Sequence, residues 1–197
     1  MTEPPFPPDP IARFREALDR ARHGEVFDAD RAALATADAR GRPSVRFVLV
    51  RGCDDEGFHF FTNYESRKAR ELEENPWGAL VWHWSSIGEQ VRARGPVRRL
   101  PPEKSDAYFR DRPRESQIGA WASPQSRTIA HRNELEARVR EIAERFDGAE
   151  VTRPPHWGGY TLFPEEMEIW INGEARLHDR YLYTRQDAAW RVQLLAP

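Results

Sequence analysis

The chain is 197 residues long, which fits one domain able to bury its own core without disulfide or metal reinforcement. Thirty Lys and Arg stand against 32 Asp and Glu; the resulting net charge of −2 offers no field for nucleic acid, and no apolar run reaches the length of a membrane span. Cys53 is the single cysteine, which excludes an internal disulfide and a thiolate metal cluster, and no metal site is expected.

Residues 1–8 are proline-rich and read as a flexible arm, with 9–197 as a single domain. The start lacks the basic residues and apolar stretch of a secretory signal, so a cytoplasmic protein is expected. Asp9-Pro10 has the form of an N-cap and first helical residue, and Ile11, Phe14, Leu18 and Ala21 follow at helical spacing. Strands are predicted over 32–37, 44–51 and 58–62, joined by the turn segments 39–43 and 54–57. Connections this short favour antiparallel meanders. Ser66 caps a short helix that stops before Pro76.

Two further strands are predicted at 79–84 and 90–99, then a helix from Pro101 through Phe109. A helix over 132–146 carries Leu135, Val139, Ile142 and Phe146 on one face. Strands at 158–163, 167–171, 176–180 and 190–195 close the chain, the middle two joined by a tight Asn172-Gly173 turn. The pattern predicts a mainly β fold, an antiparallel barrel with flanking helices. Seven Trp, ten Phe and five Tyr can fill its core and also serve a ring-shaped ligand.

Four clusters rich in basic residues invite a functional reading. Arg176, His178 and Arg180 alternate, so on a strand they share one face, and the hairpin brings Trp170 beside them. That face suits a planar anion; it suits an ordinary solvated strand about equally well. Arg46 and Arg51 bracket the apolar run Phe47-Val48-Leu49-Val50 and point to opposite faces of a regular strand. Arg67-Lys68 opens the helix capped by Ser66, where basic residues oppose the macrodipole unless an anion offsets them; plain surface charge is the competing reading. Finally Tyr108, Arg112, Arg114 and Ser116 combine hydroxyls with guanidiniums, a set matched to phosphate. There is no P-loop, zinc-protease motif, nucleophile elbow or dinucleotide glycine fingerprint, so any phosphate must be gripped by side chains.

Taken together, the blocks Arg46-Phe47-Val48-Leu49, Thr62-Asn63 with Ser66-Arg67-Lys68, Arg112-Pro113-Arg114 with Ser116-Gln117-Ile118-Gly119-Ala120-Trp121, Gln125-Ser126, Trp157-Gly158-Gly159-Tyr160 and Arg176-Leu177-His178-Asp179-Arg180 resemble the pyridoxamine 5′-phosphate oxidase family. The resemblance runs from about residue 9 to 197. It implies an FMN-binding split β-barrel, homodimeric, with the flavin held at the interface by both chains. The FMN contacts it implies are Arg46, Phe47, Val48, Leu49, Phe61, Thr62, Arg67, Lys68, Gln90, Gln125, Ser126, Trp170 and Arg180. The substrate contacts it implies are Arg51, Tyr108, Arg112, Ser116, Arg176 and His178, the last two as the catalytic pair.

The implied activity is oxidation of pyridoxine or pyridoxamine 5′-phosphate by O2 to pyridoxal 5′-phosphate and hydrogen peroxide. Three departures bear on substrate choice: arginine rather than the family's usual lysine at 51, isoleucine rather than glutamine at 171, and a short N-terminal arm. A phenazine-type flavin oxidase is one alternative, and a flavin-binding module without turnover is another.

Overall fold

Burial along residues Arg31–Ala37 (β1) hides Ala32, Leu34 and Thr36 and leaves their neighbours more open, the two-residue period of a strand with one face in a core. The computed structural model describes residues 7–197, so all but the last two residues of the expected arm lie outside the described residues. In chain order the elements are α1 (Pro10–Arg22), β1, β2 (Pro43–Cys53), β3 (Phe58–Asn63), α2 (Arg67–Glu74), β4 (Trp77–Trp84) and β5 (Glu89–Arg99). Then come α3 (Pro102–Arg110), α4 (Arg114–Ala122), α5 (Arg132–Arg145), β6 (Trp157–Leu162), β7 (Glu166–Ile171), β8 (Asp179–Gln186) and β9 (Ala189–Leu194).

All strand pairings are antiparallel, in the order β4-β1-β2-β3-β6-β5-β7-β8-β9, and an extra β4–β5 pairing closes the first six into a barrel. The barrel is split at β5. One edge of β5 pairs with β4, while its other edge gives residues 89–94 to β7 and 97–99 to β6. Strands β7, β8 and β9 therefore leave the barrel as a separate ribbon.

Phe58, Phe60, Leu80, Trp82 and Trp84 are all within 1% of full burial in the barrel core. Helix α1 seals that core. Asp9 accepts from the Ile11 N–H at 2.9 Å, Pro10 starts the helix, and the Phe14 ring meets Phe58 and Trp82 at 4.9 and 4.7 Å. A second apolar cluster, Phe109, Ile118, Phe146, Val151 and Trp157, packs α3, α4 and the end of α5 against β6. Pro7 is already tied down, its carbonyl accepting from the Tyr183 hydroxyl at 3.4 Å. Among the described residues no helix is long and apolar enough to cross a membrane.

Two expectations need correcting. The connection between β7 and β8 is not a two-residue turn: residues 172–178 form a loop with a 3-10 turn at Glu174–Arg176. Arg176 and His178 lie in that loop, so they do not share a strand face with Arg180, the only one of the three on β8. Second, residues 114–122 form a helix that the polar motif there had concealed.

Candidate active site

Strand β2 supplies the first wall. Its register against β1 sets Arg46 opposite Leu34 and Ser44 opposite Thr36. The Arg46 guanidinium consequently donates to Thr36 Oγ1 at 2.6 Å, to the Leu34 carbonyl at 3.2 Å and to the Ser44 hydroxyl. Behind it stands Glu71, 5% exposed, which takes the Arg67 Nε–H at 2.8 Å and lies 3.3 Å from Arg46 Nη2. Burial pushes the Glu71 carboxyl up, but bonds from Ser44, Thr36 and Arg67 outweigh it and hold the group down at about 2. The basic start of α2 is thus partly neutralised from within the helix, because Arg67 and Glu71 are one turn apart.

Lys68 is different. Its ammonium donates to Gln125 Oε1 at 2.8 Å, Thr62 Oγ1 at 2.9 Å and Ser66 Oγ at 3.3 Å, all neutral oxygens. Burial, and then the nearby Arg46 charge, bring it down to about 8. Across the cleft, Arg112 lies over the Trp157 ring at 4.7 Å and over Phe109 at 5.7 Å. Its Nη1 is buried with no hydrogen-bond partner, and burial lowers the guanidinium's pKa. Tyr108 stacks on Phe61 at 3.8 Å, and Phe61 stacks on Trp157 at 5.6 Å. Gly159 makes this possible: a Cβ there would run into the Phe61 ring and Leu100.

Arg46, Phe47, Val48 and Leu49 face Phe61, Thr62, Lys68, Tyr108, Arg112, Gln125 and Trp157 around one cleft of about 280 Å³. Of the residues expected to touch cofactor or substrate, the structure brings these together, with Trp157 added. Trp157 had been read only as part of a glycine motif; its indole could have been anticipated from an aromatic preceding two glycines on a strand. Ser116 sits on α4 just after Arg112, and Ser126, at φ 69, follows Gln125. Arg114 is structural, donating to the Phe146 and Ala149 carbonyls at 2.6 and 2.9 Å beyond the end of α5. Arg51 falls at a β-bulge between Val50 and Gly52, and its guanidinium grips Asp28 and Asp30, each at 3.0 Å, instead of lining the cleft.

A second group lies on the ribbon. Gln90, Trp170 and Arg180 are consecutive register partners across β5, β7 and β8. Glu168, 3% exposed, accepts from Arg180 Nε at 2.9 Å and also binds Arg92. The His178 ring rests on Trp170 with centroids 4.4 Å apart, and Arg176 is exposed with φ 66, next to Ala175 at φ 53. None of this group lines the 280 Å³ cleft of the same chain.

A split six-stranded barrel with two half-buried cations, Lys68 and Arg112, facing an aromatic cleft has the architecture of the flavin split-barrel class. The comparisons narrow this further. Residues 21–146 match the family described as pyridoxamine 5′-phosphate oxidase, and residues 157–197 match the pyridoxine 5′-phosphate oxidase C-terminal dimerisation region. The chain belongs to the pyridoxamine 5′-phosphate oxidase family. A relative from Anaeromyxobacter dehalogenans, named pyridoxine/pyridoxamine 5′-phosphate oxidase, is 57% identical over 194 residues, 98% of each chain. One of the same name from Myxococcus xanthus is 48% identical over 98% of this chain and 93% of its own. Among solved structures, PhzG from Burkholderia lata 383 in complex with tetrahydrophenazine-1-carboxylic acid superposes with a TM-score of 0.92 at 33% identity, covering 98% and 95% of the two chains.

Proposed function

We propose that this protein is an FMN-dependent oxidase that converts pyridoxine or pyridoxamine 5′-phosphate to pyridoxal 5′-phosphate, with O2 as the final acceptor and hydrogen peroxide as co-product, in the cytoplasm. The observation that carries the reading is the pair of desolvated cations, Lys68 and Arg112, in a cleft whose lining contains no carboxylate. Cations drawn partly out of water and set against neutral oxygens or aromatic faces are held at a cost that an added anion offsets. Two such cations on opposite sides of an aromatic slot fit two phosphate esters carried by flat rings.

Lys68, Arg46, Arg67, Thr62, Gln125 and Ser126 would hold the FMN phosphate, with Phe47, Val48, Leu49 and Phe61 along the same wall. When bound, FMN supplies the two-electron acceptor for the hydrogen on the substrate's exocyclic carbon. Arg112, Tyr108 and Ser116 would fix the substrate phosphate, so that binding energy from a non-reacting group places the reacting carbon. Arg51 joins them only by exchanging Asp28 and Asp30 for the phosphate. The ribbon group would be delivered by a second copy: Gln90, Trp170 and Arg180 against the cofactor, Arg176 and His178 against the pyridine ring. This follows from the ribbon's separation from the cleft in one chain and from the dimerisation region that spans it.

The test is direct. The purified protein should be yellow with bound FMN and, given pyridoxine 5′-phosphate in air, should form aldehyde and peroxide in equal amounts. Absence of FMN, or of aldehyde in the FMN-loaded protein, would overturn the reading. Ile171 and the likeness to PhzG favour a second reading, oxidation of a carboxylated tricycle. The phosphate-matched Tyr108, Arg112 and Ser116 weigh against it, and parallel assays on dihydrophenazine acids separate the two.

A further inference from the structure

The loop 172–178 holds His178 by its backbone as well as by packing. Asn172 donates its N–H to the Gly88 carbonyl at 2.9 Å, which fastens the loop to the turn between β4 and β5. Leu177 N–H bonds the Glu174 carbonyl at 3.0 Å. The chain doubles back so closely that a Cβ on residue 173 would collide with the Leu177 carbonyl, so only glycine fits there. That return brings the Gly173 N–H onto His178 Nδ1, with nitrogen to nitrogen at 3.2 Å.

A backbone amide can only donate, so Nδ1 must accept, and the proton of the neutral imidazole then sits on Nε2. Among the described residues Nε2 has no hydrogen-bond partner. We propose that the Gly173 amide locks His178 as its Nε2–H tautomer, making it a hydrogen-bond donor to a lone pair on the substrate's ring or exocyclic group and not a base. In this tautomer one ring lone pair is committed to the amide, and the other nitrogen presents its hydrogen to the substrate side. His178 orients the substrate group, and the proton that group sheds leaves to solvent. The identity of the acceptor rests on the oxidase reading above; the tautomer does not.

The test uses full-length, FMN-loaded protein labelled with 15N-histidine. Two-bond 1H–15N correlations, with the His178 signals assigned by their loss in His178→Gln, should show a protonated Nε2 and a bare Nδ1. The opposite tautomer, or a fast average of the two, would overturn the proposal. Turnover of pyridoxine 5′-phosphate supplies the second readout. A glutamine amide nitrogen reaches the place of Nε2 and an asparagine one that of Nδ1, so His178→Gln should keep kcat within about tenfold while His178→Asn loses about a hundredfold. The reverse ranking would overturn the donor role. An Nε2–H signal with turnover unchanged in both variants would remove His178 from the oxidase site and leave the tautomer standing.

Discussion

Lys68 holds a charge that the fold disfavours, and that sets a pH limit on ligand binding. Free, it loses its proton as the pH passes about 8; an anion beside it raises that value, so the bound state holds more protons. FMN affinity should therefore be full below about pH 8 and fall above it. Replacing Lys68 by Met should weaken FMN by about a hundredfold, the worth of a charge-assisted bond of about 2–3 kcal/mol, and flatten that pH dependence; fluorescence-quench titrations from acid to alkaline pH check both. Arg112 should behave otherwise. Arg112→Met is expected to raise KM for the phosphorylated substrate by about a hundredfold with FMN content unchanged, and parallel loss of FMN would contradict its assignment. Glu71 acts on stability. Its carboxyl titrates near 2 in the fold against an ordinary 4.5, so its contribution is complete above about pH 4.5 and disappears as the pH falls toward 2. Glu71→Gln should cost about 3 kcal/mol at neutral pH and flatten the acid limb of a urea-denaturation series.

Between neighbouring strands, Glu168 ties Arg92 on β5 and Arg180 on β8 to β7 from an almost fully buried position. Glu168→Gln leaves two guanidiniums without their carboxylate, which should destabilise the FMN-free protein by about 3 kcal/mol and weaken FMN as Arg180 loses its anchor. Unchanged denaturation midpoints would contradict this. Strand and helix positions were legible because their signals are local: alternation in β1, the Asp9-Pro10 start of α1, the Ser66 cap of α2. The segment 176–180 misled because basic residues at alternate positions imitate a strand face, while the backbone there turns through positive φ at Ala175 and Arg176, a conformation no residue pattern announced. Helix α4 was obscured by Arg114 and Ser116, which read as ligands; a proline before the first turn was the available clue. Arg51 keeps to the exposed face of β2, opposite Arg46, as alternation requires; its grip on Asp28 and Asp30, which lie just before β1, is a contact between distant segments that no local pattern records.

For the assembled molecule, the telling segment is Phe47-Val48-Leu49-Val50. A continuous apolar strand implies burial on both faces, yet in one chain Val45 and Phe47 remain 70% and 72% exposed beside a groove built from Ala33, Ala35 and Ala79. A second copy is the occupant that the C-terminal dimerisation region names, and it would cover this face while bringing its own ribbon to the cleft. The barrel could be inferred from short turns and alternation within one chain; a site shared by two chains came only from the resemblance of whole motifs, because no local pattern records which residues a second copy would supply. Coexpressed, differently tagged Arg112→Met and His178→Ala chains put this to the test. Assayed at substrate well below KM, each homodimer should keep only about a hundredth of the parent activity, whereas the purified mixed dimer carries both lesions in one site and none in the other. The account predicts that it regains about half the activity of the parent dimer. A mixed dimer as inactive as its parents would place the whole site within a single chain and contradict it.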